Sequence, residues 1–242
     1  MPYFYEFPTI DYKFGNEASS TEFQDLSIYA DIIDQIKDAV ALYEDYYVLP
    51  DERPDQVSYK LYGTTENYWT FFLVNEKLRE SGWPLAPGRV FDLAKKLYAD
   101  KVMTTKTVLT DKFKIGQSIS GLSSGATAKI KERNLDLGQL ILENVSGTFT
   151  DGESVSSTNT SGVLETIVSD TVEDKYNAAH HYENADKEYV DIDPTVGPGA
   201  SLTEVTWLDR LNGQNDEQRS IRVIRPTEMR SVVRSFREAV RL

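Results

Sequence analysis

The chain has no cysteine in its 242 residues. This excludes disulfide frameworks, thiolate metal sites and cysteine nucleophiles, and it suits assembly in a reducing cytoplasm. Histidine is nearly absent too, with only the adjacent pair His180-His181. Neighbours in sequence are expected to point apart on a helix or a strand, so convergence on one metal ion is not expected. No run approaches the roughly 18 apolar residues of a membrane span. The opening MPYFYEFPTIDYKFG lacks a basic segment followed by an apolar one, so no signal peptide is expected. Positive charge is in deficit: 26 Lys and Arg stand against 39 Asp and Glu, for a net charge of −13. That balance disfavours nucleic-acid phosphates and anionic membranes and makes proteins the expected partners.

The sequence motifs of common catalysts are missing as well. There is no G-x-S-x-G, no phosphate-binding glycine loop and no H-E-x-x-H, and Asp186, Asp191 and Asp193 lack the glycine and terminal glutamate of an EF-hand loop. Acidic pairs are too common here to discriminate anything. No catalytic, cofactor-binding or metal residue is assigned, and no enzyme activity is expected. With 40% hydrophobic residues the chain can bury small cores in one or two domains.

The most patterned stretch is Tyr43 to Leu85. A short strand at Tyr46-Tyr47-Val48 turns at Leu49-Pro50-Asp51. Pro54 suits a first helical turn, Asp55 adds negative charge at the helix start, Val57, Leu61 and Tyr62 form an apolar stripe, and Gly63 provides the stop. Thr64 or Thr65 can cap a second helix carrying Tyr68, Trp69, Phe71, Phe72 and Val74, which ends near Asn75. An exit towards Trp83-Pro84-Leu85 implies a returning strand and hence a βααβ unit.

Tyr46, Val48, Pro50, Asp55, Val57, Tyr62, Gly63 and Asn75 resemble the motif of a LysM module. The run E-R-P-D-x-V, then Y-G, W-x-x-F-x-x-N and W-P-L, most resembles the baseplate wedge protein 53 family of T-even-type contractile bacteriophages. The likeness is good over roughly residues 40 to 100 and looser in the C-terminal third. It implies a LysM-like core built on Tyr46, Val48, Pro54, Asp55, Val57, Leu61, Tyr62, Gly63, Trp69, Phe72, Asn75 and Trp83. It also implies a structural subunit of the virion tail, made and assembled in the host cytoplasm. Such a subunit clamps wedge core proteins, helps join wedges into a six-fold ring around the hub, and has other baseplate wedge and tail proteins as partners. The rival reading is a LysM-type protein that binds peptidoglycan or chitin.

The flanks add four expectations. Met1 to Gly15 is a Pro-flanked aromatic arm, packed either on its own domain or on a neighbour. Leu26 to Ile32 alternates like a strand, and a helix follows from about Asp34. Val90 to Ala99 reads as a further helix. Between residues 105 and 170 the chain turns Ser-, Thr- and Gly-rich, and FKIGQSIS from Phe113 is answered by FTDGESVS from Phe149. Ile130 and Ile167 match at nearly the same offset, so two β-rich copies of about 36 residues are expected to pair into one small β domain, with Leu140, Leu142 and Val145 on a strand between them.

The expected fold class is therefore α+β: a LysM-like βααβ module with flanking strands and helices and an inserted all-β domain of two repeats. The expected divisions are 1–42, 43–104, 105–170 and 171–242. In the last of these, Ile221 and Val223 alternate as a strand. A helix from about Pro226 keeps Met229, Val232, Val233, Phe236 and Val240 on one face. Arg222 and Arg225 precede it, and Arg230, Arg234, Arg237 and Arg241 recur along it every three or four residues. That stripe is either a solvated face or a match for an acidic partner.

Overall fold

The computed structural model describes residues 9–15, 19–25 and 42–240. In chain order the elements are β1 (Thr9–Tyr12), β2 (Thr21–Gln24), β3 (Tyr43–Tyr47), α1 (Pro54–Tyr62), a 3₁₀ turn (Glu66–Tyr68), α2 (Trp69–Val74), α3 (Glu76–Ser81) and α4 (Pro87–Leu97). Then come β4 (Lys101–Thr104), β5 (Ser118–Gly121), β6 (Thr127–Asn134), β7 (Gln139–Ser146), β8 (Ser154–Thr158), β9 (Leu164–Val168), β10 (Val172–Asp174), β11 (Ala179–Glu183), β12 (Tyr189–Val190) and β13 (Thr203–Thr206). The chain ends with α5 (Trp207–Arg219), β14 (Ser220–Ile224) and α6 (Met229–Val240). Helices and antiparallel strands are mixed throughout, as an α+β chain requires. The strand and helix expected between Leu26 and residue 42 lie outside the described residues, as do the first eight residues of the aromatic arm and Arg241.

The chain divides into two compact units, residues 1–86 with 214–242, and residues 87–213. In the first unit, β1 and β2 form a hairpin. The helix α1 follows its local signals closely. Pro54 opens it, the Arg53 N–H donates to Gln56 Oε1 at 3.0 Å, and Gly63 at φ 71° closes it with its N–H on Tyr59 O at 2.9 Å. Thr64 Oγ1 accepts the Glu66 N–H at 3.2 Å, but Thr65, the residue before the 3₁₀ turn, makes no side-chain cap bond, and α2 begins at Trp69 without the threonine cap expected for it.

The returning strand expected at Trp83-Pro84-Leu85 is not there. β3 instead pairs antiparallel with β14, Ile221 opposite Tyr46 and Val223 opposite Glu44. The reason lies in how the Trp83–Leu85 backbone is satisfied. Pro84 has no N–H to give to a ladder, and the Leu85 N–H and C=O are both taken by Asn215, at 2.6 and 3.1 Å. Trp83 Nε1 meanwhile donates to Glu52 O at 2.7 Å. The strand β14 brings the alternation that β3 needs, with Ile221 and Val223 buried beside Val48, Val57, Phe71 and Leu78. A second apolar cluster joins Tyr43, Ile224, Met229 and Val232.

The second unit is dominated by a seven-stranded antiparallel sheet in the order β10-β4-β7-β6-β5-β8-β9. Its outermost strands, β9 and β10, are separated in sequence only by Ser169, Asp170 and Thr171. Such a link reaches about 14 Å at most, whereas a flat sheet of this size is about 29 Å across. The sheet therefore curls back on itself. Asp170 N–H to Thr104 O at 2.8 Å, Thr104 N–H to Thr171 O at 2.9 Å and Thr105 Oγ1 to Val168 O at 2.7 Å fasten the seam. Inside lie Met103, Phe113, Ile119, Ile130, Leu140, Leu142, Phe149, Val155 and Ile167. The stretch 105–170 sits within this sheet, to which β4 before it and β10 after it also belong.

The two similar segments lie side by side, β5 antiparallel to β8 with Ile119 opposite Ser157 and Gly121 opposite Val155. Gln117 and Glu153 occupy corresponding places, and each accepts the N–H of the residue three before it, Lys114 and Thr150. A separate three-stranded sheet, β12-β11-β13, completes this unit.

Candidate assembly surface

Most side chains of the wedge-like motif are turned into the first unit and hold it together. Val48 and Val57 are completely buried, Trp69 is buried against Phe236 with ring centroids 4.2 Å apart, and Leu61, Phe72 and Trp83 pack half-buried at the core's margin. Pro54 and Gly63 bound α1, and Asp55 pairs at 3.0 Å with Arg53 on the surface. Tyr46 donates to Glu52 at 3.1 Å, and Glu52 also receives Lys60 Nζ at 2.8 Å and the Leu49 N–H at 2.9 Å. Burial works against the Glu52 charge, but these donors outweigh it and hold the carboxyl below its usual range.

Two motif residues reach the distant strand β14. Asn75 Oδ1 accepts the Arg222 N–H at 2.9 Å while its Nδ2 donates to Arg222 O at 2.7 Å and to Phe71 O at 2.8 Å. The carboxamide thus imitates a neighbouring strand on the edge of β14 that faces away from β3. Tyr62 repeats the device with its hydroxyl on Ile224 O at 2.9 Å, and burial raises its phenol well above the ordinary value. Sequence reasoning missed Arg219, which is 3% exposed and ties Val48 O, Leu85 O and Asp216 together at 3.3, 2.8 and 3.1 Å. Nothing in its spacing from Arg222 and Arg225 marks it as buried.

The remaining arginines divide differently. Arg222, Arg225, Arg230, Arg234 and Arg237 are all exposed, although Arg225 Nε also donates to Tyr43 O at 3.1 Å. On α6, Met229, Val232 and Phe236 are buried, and Arg230, Arg234 and Arg237 occupy the other side. A cleft of about 560 Å³ opens nearby, lined by Asp45, Asn75, Lys77, Arg79, Glu80 and Arg222 among others. Its mixed charges and the structural use of Asn75 give it no convergent chemistry. Among the described residues no group of three His, Asp or Glu side chains could hold a metal, and no helix is long and apolar enough to cross a membrane.

Residues 3–86 match the family model described as Base plate wedge protein 53. The resemblance read from the motif holds over that stretch, and the family is a structural one of the phage base plate. The wedge-protein match ends at the residue where the first segment of the first unit ends. β14 and α6, which complete that unit, lie beyond it, as does the whole second unit. No curated protein matches the chain.

Proposed function

We propose that the chain is a structural subunit of the baseplate wedge of a contractile phage tail, assembled in the host cytoplasm, that clamps the wedge's core proteins and helps join wedges into a six-fold ring around the hub. The observation that carries this reading is the wedge-protein match over residues 3–86. The geometry supports it: the motif's aromatic and polar side chains serve the interior, which leaves charged, arginine-bearing surface for protein contact. In this reading β3, α1, α2 and β14 form a LysM-like βααβ module whose closing strand arrives late in the chain. The curled sheet is a two-repeat β insert that supplies an additional surface. Arg222, Arg225, Arg230, Arg234 and Arg237 face acidic groups of neighbouring wedge and tail proteins, since guanidinium forks pair directionally with carboxylates.

The deciding experiment is reconstitution with the other wedge proteins, followed by sedimentation, using Arg230→Glu combined with Arg234→Glu. Exposed charges add little to a monomer's stability, so the double variant is expected to fold and to fail to enter the complex, because like charges then oppose each other at the contact. Normal incorporation would return these arginines to a solvated face. Titration with N-acetylglucosamine oligomers separates the glycan-binding rival, for which saturable micromolar binding would speak.

A further inference from the structure

The chain's two histidines stand next to each other on β11, where alternation would send them to opposite faces. Against that expectation their Nδ1 atoms are 2.9 Å apart. The cause is a register shift between Ala179 and His181 in the pairing of β11 with β13, since an irregular residue re-aims the side chains beside it. Both rings thereby enter one hydrogen-bonded row. Arg210 on α5 donates to His180 Nε2, and at the other end His181 Nε2 lies 3.1 Å from Glu183 Oε1.

The protons of this row can be assigned by elimination. Arginine can only donate, so His180 Nε2 is an acceptor and the ring's proton sits on Nδ1. That N–H donates to His181 Nδ1, which must then be bare, leaving the His181 proton on Nε2, where it donates to Glu183. Three bonds are made by two neutral rings, and no position accepts another proton without loss. A proton on His180 Nε2 sets a cation against the Arg210 guanidinium. A proton on His181 Nδ1 makes two N–H groups face each other and breaks the middle bond.

The surroundings tie the row to α5 and β12. From α5, Trp207 meets His180 edge-on at 4.5 Å, and from β12, Tyr189 stacks on His181 at 5.1 Å with planes 5° apart. The other charged groups nearby are Lys187, 3.8 Å from Glu183, Glu204 on β13, which accepts from Tyr182 at 3.4 Å, and Lys175, 5.0 Å above the Trp207 ring.

We propose that Arg210, His180, His181 and Glu183 form a proton-sensitive latch that holds the start of α5 and the β11–β12 hairpin together while His180 is neutral and releases them when His180 is protonated. Burial, the Arg210 charge and the neighbouring His181 hold His180 below its ordinary 6.5. A histidine depressed in the folded state favours folding above the unfolded value. The latch is therefore fully closed above about pH 6.5 and opens as the pH falls through the depressed value below it.

Nitrogen NMR of the full chain with labelled histidine tests this, because only four ring nitrogens contribute. At pH 8 the expected pattern is a proton on Nδ1 for His180, the rarer tautomer, and on Nε2 for His181. On acidification to pH 5, amide exchange in Ala179–Glu183 and the first turn of α5, corrected for its intrinsic pH dependence, is expected to rise about tenfold as local opening becomes easier. His180→Phe keeps a ring against Trp207 but removes two of the bonds, and should exchange fast at both pH values. A proton on His180 Nε2 at pH 8 would overturn the proposal. So would protonation of His180 with no change in exchange.

Discussion

Replacing Asn75 with alanine tests how the first unit is closed. The carboxamide is 6% exposed and makes three hydrogen bonds, two of them to the backbone of Arg222. Phe71 O keeps a second donor after truncation, the Asn75 backbone N–H at 3.2 Å. The Arg222 N–H and C=O lose their partners outright, because they face away from β3. An orphaned buried group costs about 1–3 kcal/mol, and water entering from the neighbouring cleft recovers part of this, so a loss of about 2–4 kcal/mol is expected. Asn75→Asp should be at least as damaging, since it sets a carboxylate oxygen against Arg222 O where a donor stood. Urea unfolding followed by tryptophan fluorescence measures the loss, with Trp69 and Trp83 both in this unit. A loss of less than about 0.5 kcal/mol, within the range of ordinary surface changes, would refute the reasoning and mean that the ladder with β3 alone holds β14.

Trp69→Ala should destabilise the first unit by about 3–5 kcal/mol, as for other large buried rings, and a thermal melt unchanged by the substitution would show the ring to be dispensable. Deleting residues 87–213 with a short Gly/Ser bridge should leave a folded first unit, because Leu85 and Asn215 are already hydrogen-bonded to each other; a collapsed circular dichroism spectrum would contradict this. Glu153 is buried, which opposes its charge, but the N–H groups of Thr150, Ser123 and Ser124 and the Ser124 hydroxyl hold its carboxyl below the usual 4.5. A lowered folded value means that its contribution is full above about pH 4.5 and is lost as pH falls further. Calorimetry between pH 6 and 3 should therefore show the second unit weakening more steeply in the native chain than in Glu153→Gln.

What was legible in the sequence was local. Pro54 and Gly63 bound a helix because each fixes the conformation of its own residue, and the 3.6-residue stripe of Met229, Val232 and Phe236 marked the buried side of α6 without reference to the rest of the chain. The pairing of β3 was not legible. Its partner lies more than 170 residues away, and an alternating run such as Ile221-Arg222-Val223 says that a strand exists but not what it joins. Trp83-Pro84-Leu85 was the nearer and wrong choice. The histidines were misread for a related reason: the rule that neighbours point apart assumes a regular strand, and the register shift at Ala179 and His181 has no sequence signature of its own. Arg219 and Asn215 escaped notice because a buried polar residue is recognised by its partners, and those became visible only once Leu85 and Val48 were placed.

The dependence of β3 on β14 also sets a schedule for the ribosome. The first 86 residues leave it with their tryptophans and phenylalanines in place but with no strand to complete their sheet. More than 120 residues of the second unit must then be translated before Ser220–Ile224 appears. At 5–20 residues per second that is roughly 6–25 s, time enough for the second unit to fold on its own while the first stays open. A prematurely terminated product would carry the whole matched stretch and still leave Asn75 and Tyr62 without the backbone they grip. Such a fragment should be recognised by proteases and chaperones as unfinished, which would keep truncated copies out of whatever the complete chain joins.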